Sequence, residues 1–239
     1  LGAQLGSAGP ARFGLVQARR NGGFGYGVNL GARNLRQDAL VLLNSDAYAL
    51  EGFVDALTAP LGHDLVEATT ARLLLEGRWR LVDDGAEPPS PQAPGGVEAQ
   101  TEPTTGATHS TGSAQLRGLD GGIWVSDPSG VELINSTGNV VDACGNGYDR
   151  SWLAHAKQEH DSPEVFGICG GACAISARAW HQLNGMRQDL FMYYEDTDFS
   201  YRLRRAGYRV QYVRQAQARH PHAASSDSAS EAFTTWNTR

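Results

Sequence analysis

Ala39-Leu40-Val41-Leu42-Leu43-Asn44-Ser45-Asp46 decides how the rest of the chain is read. Five apolar residues in a row, with no polar alternation, suit a strand buried on both faces, and they stop at a turn-forming triplet. Downstream, Leu50, Phe53, Val54, Leu57 and Leu61 recur at helical spacing, while Leu65–Leu75 and Trp79–Val82 read as strands. Upstream, Phe13–Gln17 reads as a short strand leading into a glycine-dense turn, Asn21-Gly22-Gly23-Phe24-Gly25-Tyr26-Gly27. A helix through about Leu35 should follow. Strand, helix, strand, helix, strand is the pattern of an α/β sandwich around a mainly parallel sheet.

The second half continues the alternation. Short strand-like runs occur at Gly122–Val125, Val131–Ile134 and Val140–Val141, and a stronger one at Ala172–Ile175 precedes a helix from Ser176 to Leu183. Leu190-Phe191-Met192-Tyr193-Tyr194-Glu195-Asp196-Thr197-Asp198 then opens a helix to about Ala206, with Gly207 as its stop and a strand at Arg209–Val213. Acidic residues at its start and Arg202, Arg204 and Arg205 near its end suit the helix dipole. Between the halves, Asp83–Gln115 holds five of the ten prolines and Val97 as its only sizeable apolar residue. Such a stretch cannot offset its ordering entropy and reads as a disordered insertion at 83–115 within a single domain of residues 1–239.

Charge and composition exclude several classes. Acidic residues outnumber basic ones by 26 to 20, a net charge of −6, which argues against nucleic acid as a partner. No apolar run approaches the roughly 18–20 residues of a membrane-spanning helix. Three cysteines are too few and too odd in number for a disulfide framework, and they point to a reducing, cytoplasmic compartment.

Four clusters carry candidate chemistry. Asn44-Ser45-Asp46 ends a strand, where α/β sheets bind ligands, and Asp46 beside an Asn can hold a hard cation; the same triplet can equally cap the next helix. Glu195-Asp196-Thr197-Asp198 crowds three carboxylates. On a helix Asp196 and Asp198 point roughly 200° apart, so one can face a cleft as a base while the other caps the helix or meets an arginine. His220-Pro221-His222 can supply a metal ligand, although such a pair on a surface is usually inert. The glycine turn fits neither dinucleotide nor Walker A loops: Leu30 stands where G-x-G-x-x-G needs its last glycine, and the only lysine is Lys157. Cys169 and Cys173 are better read as small buried residues than as zinc ligands.

Taken together, these stretches resemble family 2 glycosyltransferases. Asn21-x-Gly23-Phe24-x-x-Gly27-x-Asn29-x-Gly31 and Leu42-Leu43-Asn44-Ser45-Asp46 are similar to that family's first half. Cys169-Gly170-Gly171-Ala172, Phe191–Asp198, Arg202-Leu203-Arg204, Gly207-Tyr208-Arg209-Val210 and His220 are similar to its second half. Asn135-Ser136-Thr137-Gly138-Asn139 and Gly147–Trp152 add a likeness to rhamnosyltransferase-like and galactofuranosyltransferase-like members.

The resemblance implies a GT-A-like (Rossmann-like) α/β/α sandwich with a mixed, mainly parallel sheet, incomplete at the N-terminus because the family's first, nucleotide-binding strand has no counterpart here. It implies an inverting enzyme that moves rhamnose or a similar sugar from a nucleotide-diphospho-sugar to a hydroxyl of a glycan or lipid-linked acceptor, with peripheral association at the cytoplasmic face of a membrane. Asp196 matches the general base. Asp46, Asn44 and His220 match the Mn²⁺ or Mg²⁺ site, Asn44 standing where relatives carry the first Asp of Asp-x-Asp. Asn21, Gly23, Phe24, Asn29, Asn44, Ser45 and Asp46 match the donor side, and Trp152, Gly170, Gly171 and Glu195 the acceptor side. The alternative is a catalytically incomplete, sugar-binding remnant of the same fold.

Overall fold

The computed structural model describes residues 14–82, 115–117 and 122–221. In chain order the elements are α1 (Phe24–Ala32), β1 (Ala39–Leu43), β2 (Tyr48–Ala49), α2 (Phe53–Thr58), β3 (Val66–Leu75), β4 (Trp79–Val82), β5 (Gln115–Arg117) and β6 (Ile123–Ser126). There follow β7 (Ile134–Ser136), β8 (Asn139–Val141), β9 (Gly147–Asp149), β10 (Glu164–Val165), β11 (Ala172–Ser176), α3 (Ala177–Gln182), α4 (Glu195–Arg205) and β12 (Arg209–His220). The described residues divide into two compact units, one within 1–76 and 133–239 and the other within 77–132.

The larger unit is built on a seven-stranded mixed sheet of order β1-β11-β3-β12-β10, with β2 pairing to β12 and β7 to β3. Alternation along the strands sorts its two faces. Leu42, Cys173, Ile175, Ala68, Val210 and Tyr212 look toward α1, α3 and α4, where Phe199, Leu203 and Trp180 pack. Val41, Ala172, Ala174, Leu73 and Ala218 look the other way, onto Phe53 and Leu57 of α2. Two apolar faces on one sheet demand helices on both sides, and the result is a three-layer α/β/α arrangement.

The sheet is mixed as expected but not mainly parallel: among its described pairings only β3 with β12 is parallel. A continuous apolar run reports burial on both faces and carries no information about strand direction. In α1, Gly25 is packed where a Cβ would lie 2.3 Å from the Arg187 carbonyl oxygen, so this glycine, read as part of a turn, serves close helix packing, whereas Gly27 faces open space. Residues 14–18 form no strand and Leu15 is almost fully exposed. Phe13, His222 and residues 83–114 of the expected insertion lie outside the described residues, while Gln115 begins β5.

The smaller unit holds the antiparallel sheet β4-β6-β5. Trp79 is buried in it and bridges to Val131, and Gly130 is required because a Cβ there would meet the Trp79 backbone at 2.2 Å.

Candidate active site

β1 delivers the Asn44–Ala47 turn at the edge where the strand ends, closed by the Ala47 N–H donating to the Asn44 carbonyl (3.0 Å). β2 follows at once and pairs antiparallel with the far end of β12, Tyr48 opposite Arg219 and Ala49 opposite Ala218. This pairing brings His220 to Asp46. His220 Nε2 lies 3.0 Å from Asp46 Oδ1 and 3.2 Å from Asn44 Nδ2, while its Nδ1 lies 3.0 Å from Asn135 Oδ1 on β7. Sequence reading ends the last strand at Val213. The structure continues it to His220 through an irregularity between Val213 and Gln217, and without that extension the histidine would not reach the turn.

The donor set suits a divalent cation. A carboxylate oxygen and an imidazole nitrogen 3.0 Å apart match neighbouring ligands around an ion with bonds of about 2.1 Å. Among the described residues, Asp46 and His220 form a pair rather than a cluster of three His, Cys, Asp or Glu side chains. Remaining ligands would come from Asn44, water and the phosphates of a substrate, as is usual for Mg²⁺-type sites.

Asp196, in the first turn of α4, forms the second corner. Its Oδ2 accepts the Gly170 N–H (2.9 Å), and its Oδ1 accepts the Thr197 N–H (2.7 Å). Tyr193 and Tyr194, at φ 69° and 65°, bend the chain into the helix. Two adjacent left-handed tyrosines are strained, a condition found where a site dictates the backbone. Burial raises the Asp196 carboxyl, and the hydrogen bonds only partly oppose it. Glu195 is buried with Oε2 lacking a hydrogen-bond partner, and burial, then the charge of Asp196, pushes it up to about 7. Asp149, at the end of β9, is pushed up to about 6 by burial and by Asp196, against a hydrogen bond from Ser136. Asp198 instead meets Arg202 at 2.8 Å, the arginine contact open to one of the two aspartates.

Gly170 and Gly171 join the two corners. The Asn44 N–H donates to the Gly171 carbonyl (2.9 Å), on the residue after the one whose N–H holds Asp196. A Cβ on Gly170 would lie 3.2 Å from the Phe24 ring and 3.4 Å from Asp196 Oδ2. The Phe24 N–H donates to the Phe191 carbonyl, and a Cβ on Gly23 would lie 1.7 Å from that oxygen, so Gly23 and Phe24 are fastened to the segment that enters α4. Asn21 accepts the Gly23 N–H and shapes this approach. Ser45 lies inside the Asn44–Ala47 turn.

Asn29 is not brought to the site with them. Its amide is spent on Met186, donating to the carbonyl (2.7 Å) and accepting the N–H (2.9 Å), which makes it a clamp between α1 and the loop after α3. Trp152 is half-buried in the turn after β9, between Ser151 and Leu153, both with φ near 60°. Asn135 and Asp149 carry no local signal of a role, although both fall inside stretches that bear the family resemblance. Their partners are 85 and 47 residues away, beyond any local pattern.

Residues 154–224 match a family model described as the N-terminal domain of galactosyltransferase. That span contains Gly170, Gly171, Glu195, Asp196 and His220. Among solved structures, the chain is similar to the crystal structure of GalNAc-T7 with UDP, GalNAc and Mn²⁺, at TM-score 0.50 and 13% identity, over 86% of this chain. This is a GT-A-like fold. The chain spans about a third (31%) of that structure's length. No curated protein matches the chain closely enough to count as a relative. No described helix is long and apolar enough to cross a membrane.

Proposed function

We propose that this chain carries the catalytic centre of a metal-dependent, inverting glycosyltransferase that uses a nucleotide-diphospho-sugar donor. The observation that supports the reading is the Gly170–Gly171 strap, whose consecutive residues hydrogen-bond Asp196 and the start of the Asn44–Asp46 turn. The galactosyltransferase match over 154–224 supports it, because the match contains the strap, Asp196 and His220.

Transfer with inversion is a single displacement. Asp196 accepts the proton of an acceptor hydroxyl as that oxygen bonds to the anomeric carbon, and the bond from that carbon to the donor's phosphate oxygen breaks. The peptide N–H groups of Gly170 and Thr197 aim the carboxylate; the absence of side chains at 170 and 171 lets Phe24, Asp196 and Leu73 pack against the strap. Asp46 and His220, with Asn44, would hold Mn²⁺ or Mg²⁺, which when bound offsets the charge gathering on the leaving nucleoside diphosphate. Phe24, Gly23 and Asn21 border the donor side, and Glu195 and Trp152 the acceptor side. Rhamnose or a similar hexose is the sugar of this reading, a glycan or lipid-linked hydroxyl its acceptor, and the cytoplasmic face of a membrane its place.

Calorimetry with UDP, UDP-galactose, UDP-N-acetylgalactosamine and dTDP-rhamnose, with and without Mn²⁺, tests the donor site. Metal-dependent micromolar binding of one of them, followed by transfer with inverted anomeric configuration by NMR, is the expected result. Silence toward every donor would leave the sugar-binding remnant; release of free sugar without an acceptor would make the chain a hydrolase.

A further inference from the structure

Asn135 touches His220 from the side away from Asp46, and nothing in the transfer chemistry requires it directly. It is buried on β7 at 8% exposure, with Oδ1 3.0 Å from His220 Nδ1. A carbonyl oxygen can only accept, so this contact needs the imidazole hydrogen on Nδ1. Without a cation Asn44 gives the same answer from the other side, because its Nδ2 amide, a donor, faces Nε2 at 3.2 Å; a cation taken up by Nε2 requires that amide to turn over, which brings the Asn44 Oδ1 to the same ion. With Nδ1 protonated, a neutral His220 turns the Nε2 lone pair toward Asp46 Oδ1 at 3.0 Å. Two electron-rich atoms at that distance repel until a positive charge lies between them.

We infer that Asn135 is a positioning residue, whose side-chain oxygen holds His220 in the Nδ1–H form and presents Nε2, beside Asp46, to a divalent cation. The inference rests on the metal-site reading above and extends it to a residue outside the ligand set. Partners on the far nitrogen of a metal-binding histidine fix the ring and its tautomer, and losing them weakens metal affinity by about 10- to 100-fold. The competing arrangement has both asparagine amides turned over and Nε2–H donating to Asp46, a plain histidine–carboxylate hydrogen bond with no demand for a cation.

The test has two readouts on the full chain. The ¹⁵N shifts of the His220 ring in metal-free protein at pH 8 report the tautomer; Mn²⁺ titration followed by electron paramagnetic resonance reports affinity. Wild type is expected as Nδ1–H. Asn135→Ala is expected to move the ring to Nε2–H and weaken Mn²⁺ by about 10- to 100-fold. Asn135→Asp keeps an acceptor and is expected to retain the tautomer, with Mn²⁺ affinity at least that of wild type. Nε2–H in wild type overturns the inference without need of a variant that folds. Tight Mn²⁺ binding in both wild type and Asn135→Ala overturns it while sparing the metal site. Absence of Mn²⁺ binding in wild type removes the metal site and the inference together.

Discussion

The turn that carries Asp46, through the Asn44 N–H, and the Asp196 carboxylate are both tied to the Gly170–Gly171 strap, yet the surroundings of the two aspartates differ in kind. Around Asp46 stand nitrogen-bearing side chains, His220 and Asn44, with Asn135 behind the imidazole. Around Asp196 stand other carboxylates, Glu195 and Asp149, and burial raises all three. The first corner offers lone pairs in the spacing a cation wants. The second crowds groups that resist losing their protons, so that a proton is what it takes up. The proposed transfer, with a phosphorylated leaving group at one end and a hydroxyl to deprotonate at the other, would use both environments, with the two glycines between them.

The largest effect expected from breaking this contrast is at the proton corner. Asp196→Asn keeps the shape and one of the two peptide N–H contacts but removes the base, and transfer should fall about 10²- to 10⁴-fold while donor affinity by calorimetry changes less than about twofold. Turnover near wild type would hand the base role to another group. At the cation corner, His220→Ala should weaken Mn²⁺ by about 100-fold or more, since losing a ligand exceeds the cost of losing a ligand's partner. Chelation should abolish metal-dependent donor binding, and Asp196→Asn should leave Mn²⁺ affinity untouched.

Glu195 separates the corners through pH. Its folded value near 7 lies above the ordinary 4.5, so its contribution to stability is complete below about pH 4.5 and is lost as pH rises through 7. Glu195→Gln removes that loss. The variant should therefore gain stability over wild type as pH climbs from 4.5 to 8, by about 3 kcal/mol at the upper end, measured by denaturant unfolding across the range. A difference that does not change with pH would mean that Glu195 has a partner in solution. The smallest effect belongs to Asp198, which pairs with Arg202 in the next turn of α4. Asp198→Asn should cost about 0.5 kcal/mol and leave transfer within twofold.

Much of this arrangement is legible along the chain. Ala172–Ser176, the short helix capped by the Ser176 side chain, and α4 with its acidic start and Gly207 stop all fall within a residue or two of the sequence reading, because each is signalled locally. β2 carries no such signal: two exposed residues, Tyr48 and Ala49, become a strand only because β12 lies beside them. The end of β12 hides for a related reason. Arg214-Gln215-Ala216-Gln217 reads as polar connector, and only burial of Ala216 and Ala218 against α2 and its neighbours shows the alternation.

Residue types and their local order determine the elements, their caps and the chemistry on offer: carboxylates at 46, 195, 196 and 198, an imidazole at 220, glycines at 170 and 171. Tertiary structure decides which of these meet. Strand direction, the reach of β12 and the neighbours Asn135 and Asp149 depend on contacts between segments tens of residues to well over a hundred apart in the chain. Such contacts leave no periodic trace, because periodicity records which face of an element is buried and never what buries it.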